Sequence, residues 1–168
     1  MNRYTMAVLV NNQFGVLNRV TSMFRRRQFN ISALTVSETE NNKISRITVV
    51  FDGEEIAKGH LINQLYKLHD VISIKELDDD NSISCELLLI KMKNDHETRE
   101  DIRDAASAFG AEMIDYSKEY MVMRLTDSTR RLDDFINVMR DFTILEICRT
   151  GSVSLERGIT TIRHVVNL

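Results

Sequence analysis

Two βαββαβ units in tandem, an α+β architecture of the ferredoxin-like plan, are what this 168-residue chain predicts, and three observations carry that prediction. The same order of hydrophobic periods, strand, helix, strand, strand, helix, strand, is written twice. The halves are separated by one short acidic connector, Asp78-Asp79-Asp80-Asn81-Ser82. The chain has no Pro, where average usage of about 5% would give roughly eight, so neither a stiff linker nor an extended Pro-rich arm joins or follows the units.

The first unit opens with a β-branched and aliphatic run over 4–10, of strand length. Residues 15–27 then carry Val16, Leu17, Val20, Met23 and Phe24 on one helical face. Strand runs over 31–37 and 44–51 flank the polar stretch 38–43, whose Asn content suits a hairpin turn. A helix over 54–68 places Ala57, Leu61, Leu65 and Leu68 inward, and 71–77 closes the unit as a strand. The first domain is therefore assigned to 1–77.

The second unit repeats this order. Residues 83–92 form a strand, and 95–109 a helix with Ile102, Ala105, Ala106 and Phe109 on one face. Runs over 111–116 and 120–125 meet at the tight Ser117-Lys118-Glu119 turn. A helix over 128–140 turns Leu132, Phe135, Ile136 and Met139 inward, and 144–149 is the last strand. Residues 151–168 form a tail, assigned with the second domain to 83–168. In each unit two helices would cover one sheet face and leave the other for a partner.

Several classes of function are excluded by what is missing. Uninterrupted apolar runs reach only five residues (6–10), against about 20 for a membrane-spanning helix, and no signal-type segment opens the chain, so a cytoplasmic protein is expected. A net charge of -3 and a third strand with a single aromatic, Phe51, argue against nucleic acid. Cys85 and Cys148 lack the spacing of a zinc or redox pair and read as reduced core thiols. His60, His69, His96 and His164 show no ligand spacing, and no nucleophile elbow, phosphate loop or metalloprotease motif occurs. The carboxylate pairs Glu54-Glu55 and Asp133-Asp134 are expected in first turns of helices, where they complement the dipole.

One stretch carries chemistry. From Val10 through Asn11, Asn12, Gln13, Phe14 and Gly15 to Val16 and Leu17, a strand ends, a polar loop turns and a helix begins at a Gly. Unpaired N–H groups and the helix dipole there suit a carboxylate. Gly15 permits close approach to the backbone, the Asn12 amide oxygen can take an ammonium group, and Phe14, Val16 and Leu17 offer apolar surface. These are parts for holding an aliphatic amino acid, although the same composition also serves as ordinary helix punctuation.

The segment Asn12-Gln13-Phe14-Gly15-Val16-Leu17-Asn18-Arg19-Val20, followed by Phe29-Asn30-Ile31-Ser32-Ala33-Leu34-Thr35-Val36, resembles the ACT domain of acetohydroxyacid (acetolactate) synthase small subunits. The resemblance extends through Ser45-Arg46-Ile47-Thr48 and 68–77 to Glu86-Leu87-Leu88-Leu89-Ile90-Lys91, Arg149-Thr150-Gly151 and Leu155-Glu156-Arg157-Gly158. It implies a non-catalytic regulatory subunit of the enzyme that starts branched-chain amino acid synthesis. Its large catalytic subunit would carry thiamine diphosphate, Mg²⁺ and FAD, with no cofactor on this chain. It further implies a homodimer formed through the ACT domains, activation of the large subunit, and feedback inhibition by valine or another branched-chain amino acid. By position, Asn12, Phe14, Gly15, Val16 and Leu17 of one protomer and Asn30 and Ile31 of the other would hold the effector. Two departures are local: Gln28 stands where family members often have Gly before the aromatic–Asn pair, and Asn11 where an acidic residue is frequent. The alternative is a free-standing ACT-type amino-acid sensor acting on another partner.

Overall fold

The computed structural model describes residues 2–163. In chain order the elements are β1 (Asn2–Asn11), α1 (Val16–Arg26), β2 (Asn30–Glu38), β3 (Ile44–Gly53), α2 (Glu55–Leu65), β4 (Val71–Leu77), β5 (Ser82–Lys93), α3 (Arg99–Phe109), β6 (Glu112–Tyr116), β7 (Tyr120–Asp127), α4 (Thr129–Met139), β8 (Ile144–Arg149) and β9 (Val153–Glu156). The first sheet runs β2-β3-β1-β4 and the second β6-β7-β5-β8, with β9 also paired to β5, all pairs given a register being antiparallel. The repeat read from the sequence is thus a repeat of topology.

In the first unit, alternate residues of β1 (Tyr4, Met6, Val8, Val10) and β3 (Ile47, Val49, Phe51) face Val16, Val20 and Phe24 of α1 and Leu61 and Leu65 of α2. Phe24, Phe29 and Phe51 meet edge to face, with centroids 5.2 to 6.4 Å apart. The second core repeats the arrangement with Leu88, Ile90 and Met92 of β5, Met121, Met123 and Leu125 of β7, and Ile102, Leu132, Phe135 and Met139 of α3 and α4.

The helix ends show why two departures from regular backbone occur where they do. At the end of α1, Gln28 N–H donates to Arg25 O and Phe29 N–H to Phe24 O, a Schellman cap whose left-handed residue is Gln28 at φ 59. The end of α3 has the same two bonds, from Gly110 to Ser107 O and from Ala111 to Ala106 O, with Gly110 at φ 76. A Gln therefore occupies the left-handed position that Gly fills in the second unit.

Four expectations are corrected. Residues 152–163 belong with the first compact unit rather than the second, because Ile162 packs on Ala7, Leu9 and Leu77 of the first sheet. That packing also covers part of the sheet face expected to stay open. His164 and the residues after it lie outside the described residues. Cys85 is only half-buried and Cys148 is exposed, since β8 is an edge strand; both thiols are free. Asp133 and Asp134 fall in the second turn of α4, which starts at Thr129 and is capped by the Ser128 hydroxyl accepting from Arg131 N–H. Asp133 pairs instead with Arg149 at 2.6 Å.

Candidate functional site

β1 stops at Asn11, where both of its antiparallel neighbours begin, β3 at Ile44 and β4 at Val71. On the β4 side Asn11 N–H donates to Asp70 O at 2.8 Å, and on the β3 side Asn12 N–H donates to Lys43 O at 2.7 Å. The Asn12 side chain is drawn to the β2–β3 hairpin, its Nδ2 donating to Asn42 O at 2.9 Å and to Glu38 Oε1 at 3.1 Å. Both Nδ2 protons are spent, so Oδ1 is the amide's remaining group, an acceptor. Gln13 N–H closes on Asn11 O and Val16 N–H on Gln13 O, and Gly15 then enters α1 with φ 79. That left-handed turn requires Gly, and a Cβ there would also sit 3.2 Å from Arg19 Nη1.

Arg19, one turn into α1, fixes the loop from beneath. Its guanidinium reaches Asp70 Oδ2 at 2.6 and 2.9 Å and donates to Phe14 O at 3.4 Å. The carbonyl of Asp70 holds Asn11 while its carboxylate holds Arg19, so one residue at the start of β4 supports the loop twice. No side chain caps the first turn of α1, whose N–H groups and dipole face the loop.

The predicted residues divide into three groups. Asn12 and Gly15 lie on the loop, with Phe14 wholly exposed and Leu17 partly so. Val16 points inward instead and belongs to the core, 8% exposed, so it offers backbone and no side-chain surface. Asn30 and Ile31 lie at the far end of the same sheet: Asn30 opposes Asp52 and Asn2 opposes Gly53, whereas Asn11 opposes Ile44. Nine residue steps along β1 amount to about 30 Å, so one chain does not bring the two groups together. Among the described residues β2 is the sheet edge, paired to β3 alone.

Sequence reasoning did not single out Asp70, Glu38 or the Asn42–Lys43 backbone as supports of the loop. Arg19 stood inside the quoted motif without a role. Its partner lies 51 positions away, in an ordinary helix-to-strand turn that carries no local signal.

Elsewhere, the outer face of the second sheet forms a shallow depression lined by Leu89, Lys91, Asp115, Tyr120, Val122, Glu146 and Cys148. Its polar groups are paired: Lys91 with Glu146 at 3.3 Å, and the Tyr120 hydroxyl donating to Asp115 at 3.1 Å, which pushes the phenol above its ordinary value. Among the described residues no three His, Cys, Asp or Glu side chains are grouped to hold a metal ion, and no helix is long and apolar enough to cross a membrane.

A first unit of ACT type followed by a second βαββαβ unit defines the class of the chain. Residues 6–73 match the family model described as the AHAS small subunit-like ACT domain, and residues 85–158 the one described as the small subunit of acetolactate synthase. The acetolactate synthase small subunit of Mycolicibacterium smegmatis is 41% identical over 155 residues, 92% of this chain and 91% of that one. A probable acetolactate synthase small subunit of Archaeoglobus fulgidus is 38% identical over 156 residues, 93% and 98% of the two chains. The crystal structure of the Thermotoga maritima small subunit superposes with a TM-score of 0.88 at 31% identity, covering 95% of this chain and all of that one. The chain belongs to the acetolactate synthase small-subunit family, whose members are regulatory subunits that imply a catalytic large subunit as partner.

Proposed function

We propose that this chain activates the large catalytic subunit of acetolactate synthase and makes it responsive to valine or another branched-chain amino acid. The effector sits between two copies of the first unit. Its carboxylate lies at the uncapped first turn of α1 beside Gly15, and its ammonium group at Asn12 Oδ1. Its aliphatic side chain lies against Leu17 and Phe14 of one copy and Ile31 of the other.

The observation that carries this reading is the separation of Asn30 and Ile31 from the loop along an open edge strand. Antiparallel pairing of β2 with β2 of a second copy sets the start of one strand beside the end of the other. Asn30 of the second copy then lies next to Glu38, where Asn12 is already bound. Two-fold symmetry makes two such sites per dimer. It also gives the wholly exposed Phe14 a surface to cover. Thiamine diphosphate, Mg²⁺ and FAD belong to the large subunit in this reading.

The test is acetolactate formation by the large subunit alone, with this chain, and with this chain plus each branched-chain amino acid. The rate rises on adding the chain and falls again with the effector. Asn12→Ala and Gly15→Asp keep the activation and lose the inhibition. An unchanged rate on mixing the subunits would refute the proposal.

A further inference from the structure

The segment 152–163 is folded with its polar and apolar positions exchanged. Ser152 and Ser154 are buried, while Val153 and Leu155 between and after them are exposed and Ile159 is 93% exposed. Ser154 Oγ lies 2.8 Å from Ser84 Oγ, and its carbonyl accepts from Arg46 Nη2 at 2.6 Å. Lys75 holds Glu156 at 2.9 Å. The segment starts as β9, paired to β5, meets Arg46 and Lys75 on the face of the first sheet opposite its helices, and drives only one aliphatic side chain, Ile162, into that face, beside Ala7, Leu9 and Leu77.

What Ile162 touches next is informative. Leu9 pairs with Ser73 but Val10 pairs with Val71, so Ile72 is the extra residue of a bulge in β4. Ile72 packs against the same small cluster, and the buried Ser73 hydroxyl donates to Ile162 O at 2.7 Å. Two residues before the bulge stands Asp70, which holds both Asn11 and Arg19. On the other side, Ile44 also packs against this cluster and Arg163 forms an ion pair with Glu40. Ile44 and Glu40 belong to the hairpin whose Asn42, Lys43 and Glu38 hold Asn12.

We infer that residues 152–163 are a strap that grips both supports of the Asn11–Gly15 loop, the β4 bulge and the β2–β3 hairpin, so that strap docking and occupancy of the loop are coupled. The start of the strap is anchored by the pairing of β9 with β5 and by Arg46 on Ser154 O, but the end that reaches the loop supports is suited to a switch because its hold is slight: one buried Ile, one hydroxyl bond and the exposed Arg163–Glu40 ion pair. A ligand that requires the fixed loop favours the docked strap, and undocking the strap weakens that ligand by the same factor. The coupling to a ligand rests on the effector reading above.

The experiment uses the full chain and follows hydrogen–deuterium exchange together with valine binding by calorimetry. Ile162→Asp undocks the strap. Exchange at the Asn11 and Asn12 amides then rises by about tenfold or more, and valine affinity falls by about five- to tenfold, while amides of β7 keep their protection. Ile162→Val leaves all three readouts at native values, as does Ile159→Ser on the solvent side of the same segment. Ser73→Ala, which removes only the hydroxyl bond, moves them in the same direction as Ile162→Asp and serves if that variant does not fold. Loss of protection across 152–163 with Asn11 and Asn12 exchange within about twofold of native would overturn the inference. Should the native chain take up no valine, the effector reading fails, and the exchange measurement still decides whether the strap holds the loop.

Discussion

Arg19 and Asp70, 51 positions apart, meet at 2.6 Å beneath the loop that opens α1. Asp70 is buried while Arg19 is partly exposed, so the pair is worth little as an isolated ion pair and more as a positioning device. Asp70→Asn keeps the size and the backbone bond to Asn11 but removes the charge. The expected result is a loss of valine affinity of about tenfold with activation of the large subunit retained. Calorimetry on the isolated chain and the activation assay read the two effects separately, and unchanged affinity would show that the loop needs no such anchor.

A gain in stability is expected at Gln28. The position is left-handed at φ 59 and closes the same two-bond cap that Gly110 closes in the second unit. A left-handed conformation costs a residue with a Cβ about 1 kcal/mol, so Gln28→Gly raises the unfolding free energy by up to about that amount. Urea unfolding checks it. A destabilised variant would mean that the Gln28 side chain contributes more than its backbone costs.

The converse holds at Gly53, where an added Cβ would stand 2.4 Å from Phe29 Cε1. Phe29 is wedged against Phe24 and Phe51, so it cannot swing clear without disturbing that cluster. Gly53→Ala costs about 1 to 3 kcal/mol by overpacking. Because Phe29 immediately precedes Asn30 and Ile31, a weaker response to the proposed effector is expected as well. A melting temperature equal to the native one would contradict the packing argument.

Periodicity made both βαββαβ units legible because burial on one sheet face imposes it: every second residue of β1 and every third or fourth of α1 had to be apolar. The loop was legible for a different reason, since Gly15 and Asn12 carry local conformational and hydrogen-bonding signals. Asp70 was not, because its role depends on Arg19 and Asn11, which only the folded sheet brings to it. The strap was misplaced for a related reason. In Ser152-Val153-Ser154-Leu155 the alternation suggests aliphatics inward, yet the inward side meets the Arg46 guanidinium and the Ser84 hydroxyl, so the serines turn in and the aliphatics turn out. Sequence alternation reports two faces without reporting which one is covered.

In the second unit Glu86, a buried carboxylate, accepts from Arg149 through both oxygens, at 2.7 and 3.0 Å, and from the Thr129 hydroxyl at 2.9 Å. The hydrogen bonds that Arg149 donates to Glu86 lead the influences that hold its guanidinium above its ordinary value. Arg149→Met strands the buried charge and costs about 3 kcal/mol, whereas adding Glu86→Gln to it costs less than the two single losses summed. Thermal unfolding of the two single variants and the double variant measures this, and additive losses would show that the pair does not act as a unit.

Lys58 is buried on α2, its Nζ 2.7 Å from Glu76, 2.8 Å from Glu55 and 4.3 Å from the centroid of the Tyr4 ring. Burial alone would push its ammonium down, but the hydrogen bonds to Glu55 and Glu76 outweigh it and hold the group above its ordinary 10.5. Glu55, hydrogen-bonded by Lys58 and then by the Tyr4 hydroxyl, is held below its ordinary 4.5. A carboxyl lowered on folding contributes stability above its unfolded value and loses it as pH falls through the folded one. An ammonium raised on folding contributes below its unfolded value and loses it as pH rises through the folded one. The stability that native protein holds over Lys58→Met is therefore level between about pH 5 and pH 10 and shrinks toward both extremes. Urea midpoints measured across that range test the shape, and a difference that stays constant down to about pH 3 would show that Glu55 draws nothing from Lys58.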